Sequence, residues 1–292
     1  MLSSLLKSMR LRTLPLSLAG VVCGGVLGYA HGGCSGWTLA FLFLTTACLQ
    51  VLTNLSNEMG DYQSGVDNAR RQGPHYSLAD GHLTEKQMWG AINTMVVLCC
   101  VLGFAMVTAS FGSLWRSWPA RWLIVLGAVA IWAATHYTLG KNPYGYRGLG
   151  DLSVFIFFGL VSVLGSYYVA AHRVDWPLLW PAVGMGLLSV GVLNVNNIRD
   201  MQSDEGIRRT VPLRIGERWA KVYQAVLVLA GYACFLFTCG RTWLLVFPAV
   251  LFGWHLYLLR TCSGKALDPA LPLLVLASAA TAGLYTVANY GL

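Results

Sequence analysis

VFIFFGLVSVLGSYYVAA, residues 154–171, holds no charged side chain and carries apolar residues around the whole helical wheel. A strand of a membrane barrel has to alternate polar with apolar positions, so the stretch reads as a membrane-spanning helix, for which about 20 apolar residues suffice. Comparable runs recur from end to end. They predict nine spans at roughly 14–30, 38–56, 88–110, 121–140, 152–171, 177–198, 220–238, 242–260 and 269–289. Composition agrees with this reading: 56% of the 292 residues are apolar, 11% are charged, and mean hydropathy is +0.57. The expected fold is an all-α integral membrane protein, a bundle of about nine transmembrane helices. No hydrophilic block is long enough to fold beside the bundle, so residues 1–292 read as one polytopic domain. Lys7, Arg10 and Arg12 precede the first run, but no small-residue cleavage site follows a short apolar core, so this run is expected to stay as a helix.

The basic residues orient the bundle. With the N-terminus in the cytoplasm, sixteen Lys and Arg fall on the inner side, and only Arg116, Arg121, Arg173 and Arg241 fall on the outer side. The net charge of +8 is accounted for by this topology and calls for no nucleic-acid partner; a basic inner face also attracts anionic membrane lipid or an anionic substrate. The expected location is the inner (cytoplasmic) membrane of a cell, with the working face toward the cytoplasm. The eight cysteines lie mostly within or beside spans and form no CxxC or Cys/His metal spacing, which makes them packing residues. Among six scattered histidines, only His75, inside the long polar loop, is a candidate site residue, and the plainer reading is favoured even there.

Eleven of the twelve carboxylates fall on the inner side, and they concentrate at two span ends. Residues 57–67 read NEMGDYQSGVD and residues 196–206 read NNIRDMQSDEG. DYQS and DMQS share three of four residues, and in each case an Asn stands four positions before the Asp. If the helices continue past the membrane edge, Asn57 and Asp61 share a face, as do Asn196, Asp200 and Asp204. Like charges gathered on facing helix ends require a cation between them. Oxygen-only ligands without His or Cys favour a hard ion, magnesium above all, which takes one or two carboxylates and leaves positions for phosphate oxygens. The candidate metal ligands are therefore Asn57, Glu58, Asp61, Asp67, Asp200 and Asp204. Arg70 and Arg71 after the first phrase, and Arg208 and Arg209 after the second, are candidates to hold phosphate. The plainer alternative is a solvated, internally paired collar, and the near-repeat of the two phrases weighs against it.

With these stretches in order, the chain resembles the UbiA superfamily of intramembrane prenyltransferases. RLRTLP (10–15), the two acidic phrases, YTLGKNPYGYRGLGDLSVFIFFG (137–159) and NVNNIRDMQSDEGIRRTVPLRIG (194–216) carry the likeness. The third stretch, followed by GSYY (165–168), resembles the branch that prenylates 1,4-dihydroxy-2-naphthoate. This resemblance implies a polyprenyl diphosphate donor held through Mg2+, a naphthoate acceptor, loss of diphosphate and carbon dioxide, and a demethylmenaquinone product. It implies catalytic roles for Asp61, Asp67, Asp200 and Asp204, with Asn57 and Asn197 beside them. Tyr137, Tyr144 and Tyr146 are candidates to stabilise an allylic cation, and Lys141 or Arg147 to hold the acceptor carboxylate. Asp151 reads as a helix cap. Two departures stand out: Glu58 replaces an expected Asp, and GPHYSLADG (73–81) lacks a basic residue after its Gly-Pro.

Three rivals remain at this point. A secondary transporter would place its acids near mid-membrane on broken helices. A relative within the superfamily would take 4-hydroxybenzoate or another aromatic acid. A CDP-alcohol phosphotransferase would carry a DG-x-x-AR phrase, which this sequence lacks.

Overall fold

The computed structural model describes residues 2–66, 77–113 and 117–290. Within them stand nine helices long and apolar enough to cross a membrane, and no strand: α1 (Leu2–Gly32), α2 (Gly36–Ser64), α3 (Glu85–Phe111), α4 (Trp118–His136), α5 (Gly150–Ala171), α6 (Trp176–Arg199), α7 (Val211–Phe237), α8 (Thr242–Thr261) and α9 (Gly264–Asn289). All nine predicted spans are present. Several helices start or end outside the predicted limits, because helix continues beyond the apolar run wherever polar residues cap it. Thr84 and Gln87 form a reciprocal capping box at the start of α3, and α2 runs on to Ser64 through the whole DYQS phrase.

Two packed regions flank the centre. Tyr167, Met185, Leu188 and Phe235 centre the larger one, built from α1 and α5–α9. Leu52, Leu55, Met59, Met88 and Ile92 centre the smaller one, built from α2 and α3. Helix α1 bridges them and lies close against α5: both carry π-helical turns, at Val22–Val26 and Phe155–Gly165, and a Cβ at Gly24 would run into the Val163 backbone. The glycines of α1 thus permit close helix contact, as small residues do between membrane helices. Between the packed regions lies a cavity of about 700 Å3.

Candidate active site

The site is assembled at the end of the bundle where α2, α4 and α6 meet their charged connections. Residues 137–149, between α4 and α5, fold back onto α2. The Thr138 hydroxyl donates to the Ser56 carbonyl (2.9 Å) and to Asn57 Oδ1 (3.2 Å). Gly60 permits this approach, since a Cβ there would stand 2.5 Å from the Thr138 carbonyl oxygen. The Arg209 amide donates to the Tyr146 carbonyl (2.9 Å), which ties the same loop to the segment following α6.

These ties bring the two acidic phrases together. Arg208 pairs with Asp61 from the first phrase, and its Nε stands 3.7 Å from Asp204 Oδ1 of the second. Both carboxylates are buried. The Tyr146 hydroxyl donates to Asp61 Oδ1 (2.8 Å), and its ring lies under the Arg208 guanidinium, 4.7 Å from the ring centre. Burial works against the Arg208 charge, but Asp61 and Asp204 more than offset it, so its pKa is raised. Burial likewise pushes the Tyr146 phenol up to about 12, with Asp61 adding to the rise, which keeps this phenol a proton donor at neutral pH.

Asp200 takes a different place. Helix α6 ends at Arg199 and Asp200 leaves helical geometry (φ −95°, ψ 10°), which interrupts the regular helix within the expected ladder, although the amides of Asp200 and Asp204 still donate to the Asn196 and Asp200 carbonyls (3.0 Å each). Asp204 follows on a separate short turn, Met201–Asp204. The Asp200 carboxylate is gripped by Arg199 through Nε (2.9 Å) and Nη2 (2.7 Å), while Nη1 of the same guanidinium reaches Asp268 of α9 (3.0 Å) and Nη2 also reaches Asn196 (2.7 Å). Arg199 therefore anchors the second phrase to α9. Sequence reasoning counted it only as an inside-facing charge; its adjacency to Asp200 was the available signal.

Glu58 also departs from its expected metal-binding place. Its Oε1 accepts from Ser8 Oγ (3.1 Å) and the Leu78 amide (2.9 Å), so the longer side chain reaches the start of α1 and the segment before α3, and leaves the Asp61 side. Glu58→Ala is expected to lower the thermal midpoint of the detergent-solubilised protein, since each hydrogen bond to a charged group contributes about 1.5–3 kcal/mol. The metal requirement for activity should stay unchanged; a shifted requirement would return Glu58 to the site.

Tyr137 stands at the junction, lining both the large cavity and a small polar one of about 20 Å3 that Asn197, Arg208, Arg209 and Asp151 also line. Tyr144 meets Tyr137 edge-on (5.4 Å between ring centres) and donates to the Ala133 carbonyl (2.8 Å). Asp151 makes no cap; its Oδ2 accepts from Tyr223 (3.0 Å). Lys141 and Arg147 are exposed and line neither cavity, because the loop that carries them turns its tyrosines inward and its cations out. Asp67, Arg70, Arg71 and His75 lie outside the described residues.

The large cavity is walled by α1–α6 and α9 and is mainly apolar. Its polar end, which reaches to within one helical turn of Asp61 at Asn57, also carries Asn54, Gln50, Thr13, Asn196 and Arg199, with Arg10 and Arg12. Asn54 donates to the Met9 carbonyl (2.9 Å) and Thr13 Oγ1 (3.0 Å), and Gln50 joins Thr13 and Asn54 (3.1 Å each). The RLRTLP stretch is thereby fastened to α2. Among the described residues, no three His, Cys, Asp or Glu side chains gather closely enough to hold a metal by themselves.

An apolar chamber beneath a buried carboxylate and arginine cluster is the construction of an enzyme for lipids with anionic heads. The sequence model of the UbiA prenyltransferase family matches residues 17–270, and the chain belongs to that family. Curated relatives include the 1,4-dihydroxy-2-naphthoate octaprenyltransferases of Escherichia coli, 37% identical over 91% of this chain and 88% of the relative, and of Haemophilus influenzae, 39% identical over 78% and 74%. Among solved structures, a UbiA homologue from Archaeoglobus fulgidus bound to GPP and Mg2+ superposes with a TM-score of 0.69 over 98% of this chain and 99% of that one, at 12% identity. This last likeness concerns the fold alone.

Proposed function

We propose that the chain transfers a polyprenyl group from polyprenyl diphosphate to 1,4-dihydroxy-2-naphthoate, releasing diphosphate and carbon dioxide and giving the hydroquinone form of a demethylmenaquinone. The observation that carries this reading is the meeting of Asp61 and Asp204, one from each acidic phrase, on the single guanidinium of Arg208, one helical turn beyond Asn57 at the polar end of an apolar cavity. The acceptor rests on the curated relatives and on the stretch 137–159. The sixteen-to-four distribution of basic residues supports a multi-pass protein of the inner membrane with this end toward the cytoplasm.

Two buried carboxylates supplied by facing segments, with Asn57 and Asn197 as neutral oxygen donors nearby and no His or Cys, fit Mg2+. Asp61 and Asp204 would hold it, with Asp67 and Asp200 as further acids of the same phrases. Bound there, Mg2+ supplies charge neutralisation for a departing diphosphate. Arg208, with Arg209 beside it and Arg70 and Arg71 from the first phrase, donates hydrogen bonds to diphosphate oxygens as the allylic C–O bond breaks and its electron pair leaves with oxygen. The ring face of Tyr137 stabilises the allylic cation. The electron-rich naphthoate ring forms the new C–C bond, and the pair released from the C–CO2 bond restores its aromaticity.

The acceptor carboxylate needs a cation on the large cavity. Lys141 and Arg147 are not on its wall, and Arg199 ties Asp200 to Asp268 of α9, which leaves Arg10 and Arg12; we assign this role to Arg12, the more exposed of the two, at the rim. The test uses membranes containing the protein, Mg2+, a polyprenyl diphosphate and competing aromatic acids, with products identified by mass. Prenylated, decarboxylated naphthoate is expected. Product from 4-hydroxybenzoate alone would keep the family and overturn the acceptor. In the same assay, Arg12→Met should raise the KM for the naphthoate by about tenfold to a hundredfold, the worth of one charge-assisted contact, and leave that for the prenyl diphosphate unchanged. An equal rise for both substrates would remove Arg12 from this role.

A further inference from the structure

We propose that Gly103 of α3 and Gly127 of α4 form the exit through which the far end of a long prenyl tail leaves the cavity for the lipid, and that side-chain volume at these positions sets the longest donor accepted. This inference rests on the reading of the large cavity as the donor site.

Volume requires an exit. A cavity of about 700 Å3 is of the size that encloses one drug-sized ligand. It has to hold an aromatic acid and the first isoprene units of the donor. A fully extended tail of eight isoprene units is longer than the ~30 Å thickness of the hydrocarbon core, so its end has to leave the protein.

Between α3 and α4 the cavity wall carries two glycines at mid-depth. Gly103 lies eight residues before Phe111, the last of α3, and Gly127 lies nine after Trp118, the first of α4. At ~1.5 Å per residue, both stand roughly 12–14 Å from the ends of these antiparallel helices that face away from the charged site, at one depth. On the charged side of this level, Ile131 and Ala134 of α4 pack onto the cluster that holds Met88 and Ile92 of α3. On the other side, Met106 of α3 and Leu123 of α4 pack onto a second cluster. At the level itself, both helices put a glycine on the cavity. A Cβ at Gly127 would meet nothing within 4 Å, and one at Gly103 only Thr45 Cγ2 at 3.9 Å. Neither glycine serves close helix packing, then, and both keep space open. The adjoining Phe104 and Ile124 line the cavity and are also exposed, at 51% and 38%. A residue that faces both inside and outside marks a breach in the wall.

The test measures turnover of purified protein with geranyl, farnesyl and octaprenyl diphosphate at saturating naphthoate, and reads the octaprenyl-to-geranyl ratio, which poor folding of a variant leaves unchanged. Gly127→Phe and Gly103→Phe should each lower that ratio at least tenfold, with geranyl turnover within about twofold of wild type. Gly127→Ala should leave the ratio near wild type, and Gly127→Leu should fall between; the Leu variant carries the test where the Phe variant does not accumulate. Gly253→Phe, at a helical glycine of α8 that also meets nothing within 4 Å but is off the cavity, should change nothing. An unchanged ratio in both Gly127→Leu and Gly127→Phe overturns the inference. So does a ratio that falls with Leu271→Trp and not with Gly127→Phe, which would place the exit beside α9. If the wild type prenylates no naphthoate with any donor, the proposed function fails and not merely the exit.

Discussion

Asp61→Asn and Asp204→Asn are each expected to lower turnover by two to three orders of magnitude, and the double variant to lower it little further. The size is that of removing one preorganised electrostatic partner, about a hundred- to a thousandfold. Near-equality of the single and double losses follows from the geometry. Both carboxylates face one guanidinium, that of Arg208, and so address one ligand site, and residues that act as a unit are far from additive. Asn preserves side-chain volume, and its oxygen can still accept from the Tyr146 hydroxyl, so the loss should appear in turnover, with the fold retained. Losses that multiply would separate the two phrases into independent sites. Asp200→Asn offers a contrast: its carboxylate is held by Arg199, which also grips Asp268, so its effect should include lower thermal stability, whereas Asp61→Asn should show mainly a kinetic effect.

The span pattern was legible because hydropathy over about 20 residues is a property of the chain alone. All nine helices stand where apolar runs predict them. The meeting of the acidic phrases was legible too, since two matching helix ends on one side of the bundle already imply a shared face. What periodicity could not supply is where a helix stops. Four-residue spacing puts Asp200 and Asp204 on one ladder only while the helix lasts, and it ends at Arg199. Side-chain reach was equally hidden: Glu58 looks like a lengthened metal ligand until Ser8 and Leu78, distant in sequence, are seen beside it. Lys141 and Arg147 show a third limit. Charge type alone suited them to a carboxylate, but the loop orientation that exposes them is set by Thr138 and Tyr144 bonding inward.

Chelation is expected to abolish product formation while leaving the fold intact, and added Mg2+ to restore activity fully, with Ca2+ restoring less. The donor set decides the ion. Carboxylates and amide oxygens without imidazole or thiolate suit hard cations, and a site with two described carboxylates leaves most of an octahedral shell to water and diphosphate, as Mg2+ prefers. Ca2+ takes more ligands at longer distances, so it should grip a compact diphosphate less well. Stability should be little affected because Arg208 already stands between Asp61 and Asp204 and offsets one of their two charges within the protein, so the acids coexist without a metal. The check has two readouts. Turnover in chelator should fall to background and recover with Mg2+, and the thermal midpoint without substrate should stay constant throughout. A prenyl diphosphate should raise that midpoint with Mg2+ present, by the stabilisation that any ligand binding the native state confers, and much less in chelator. Full activity in chelator would end the case for a metal-held diphosphate. A midpoint that drops on chelation would instead make the metal part of the fold, a role that the Arg208 pairing leaves no need for.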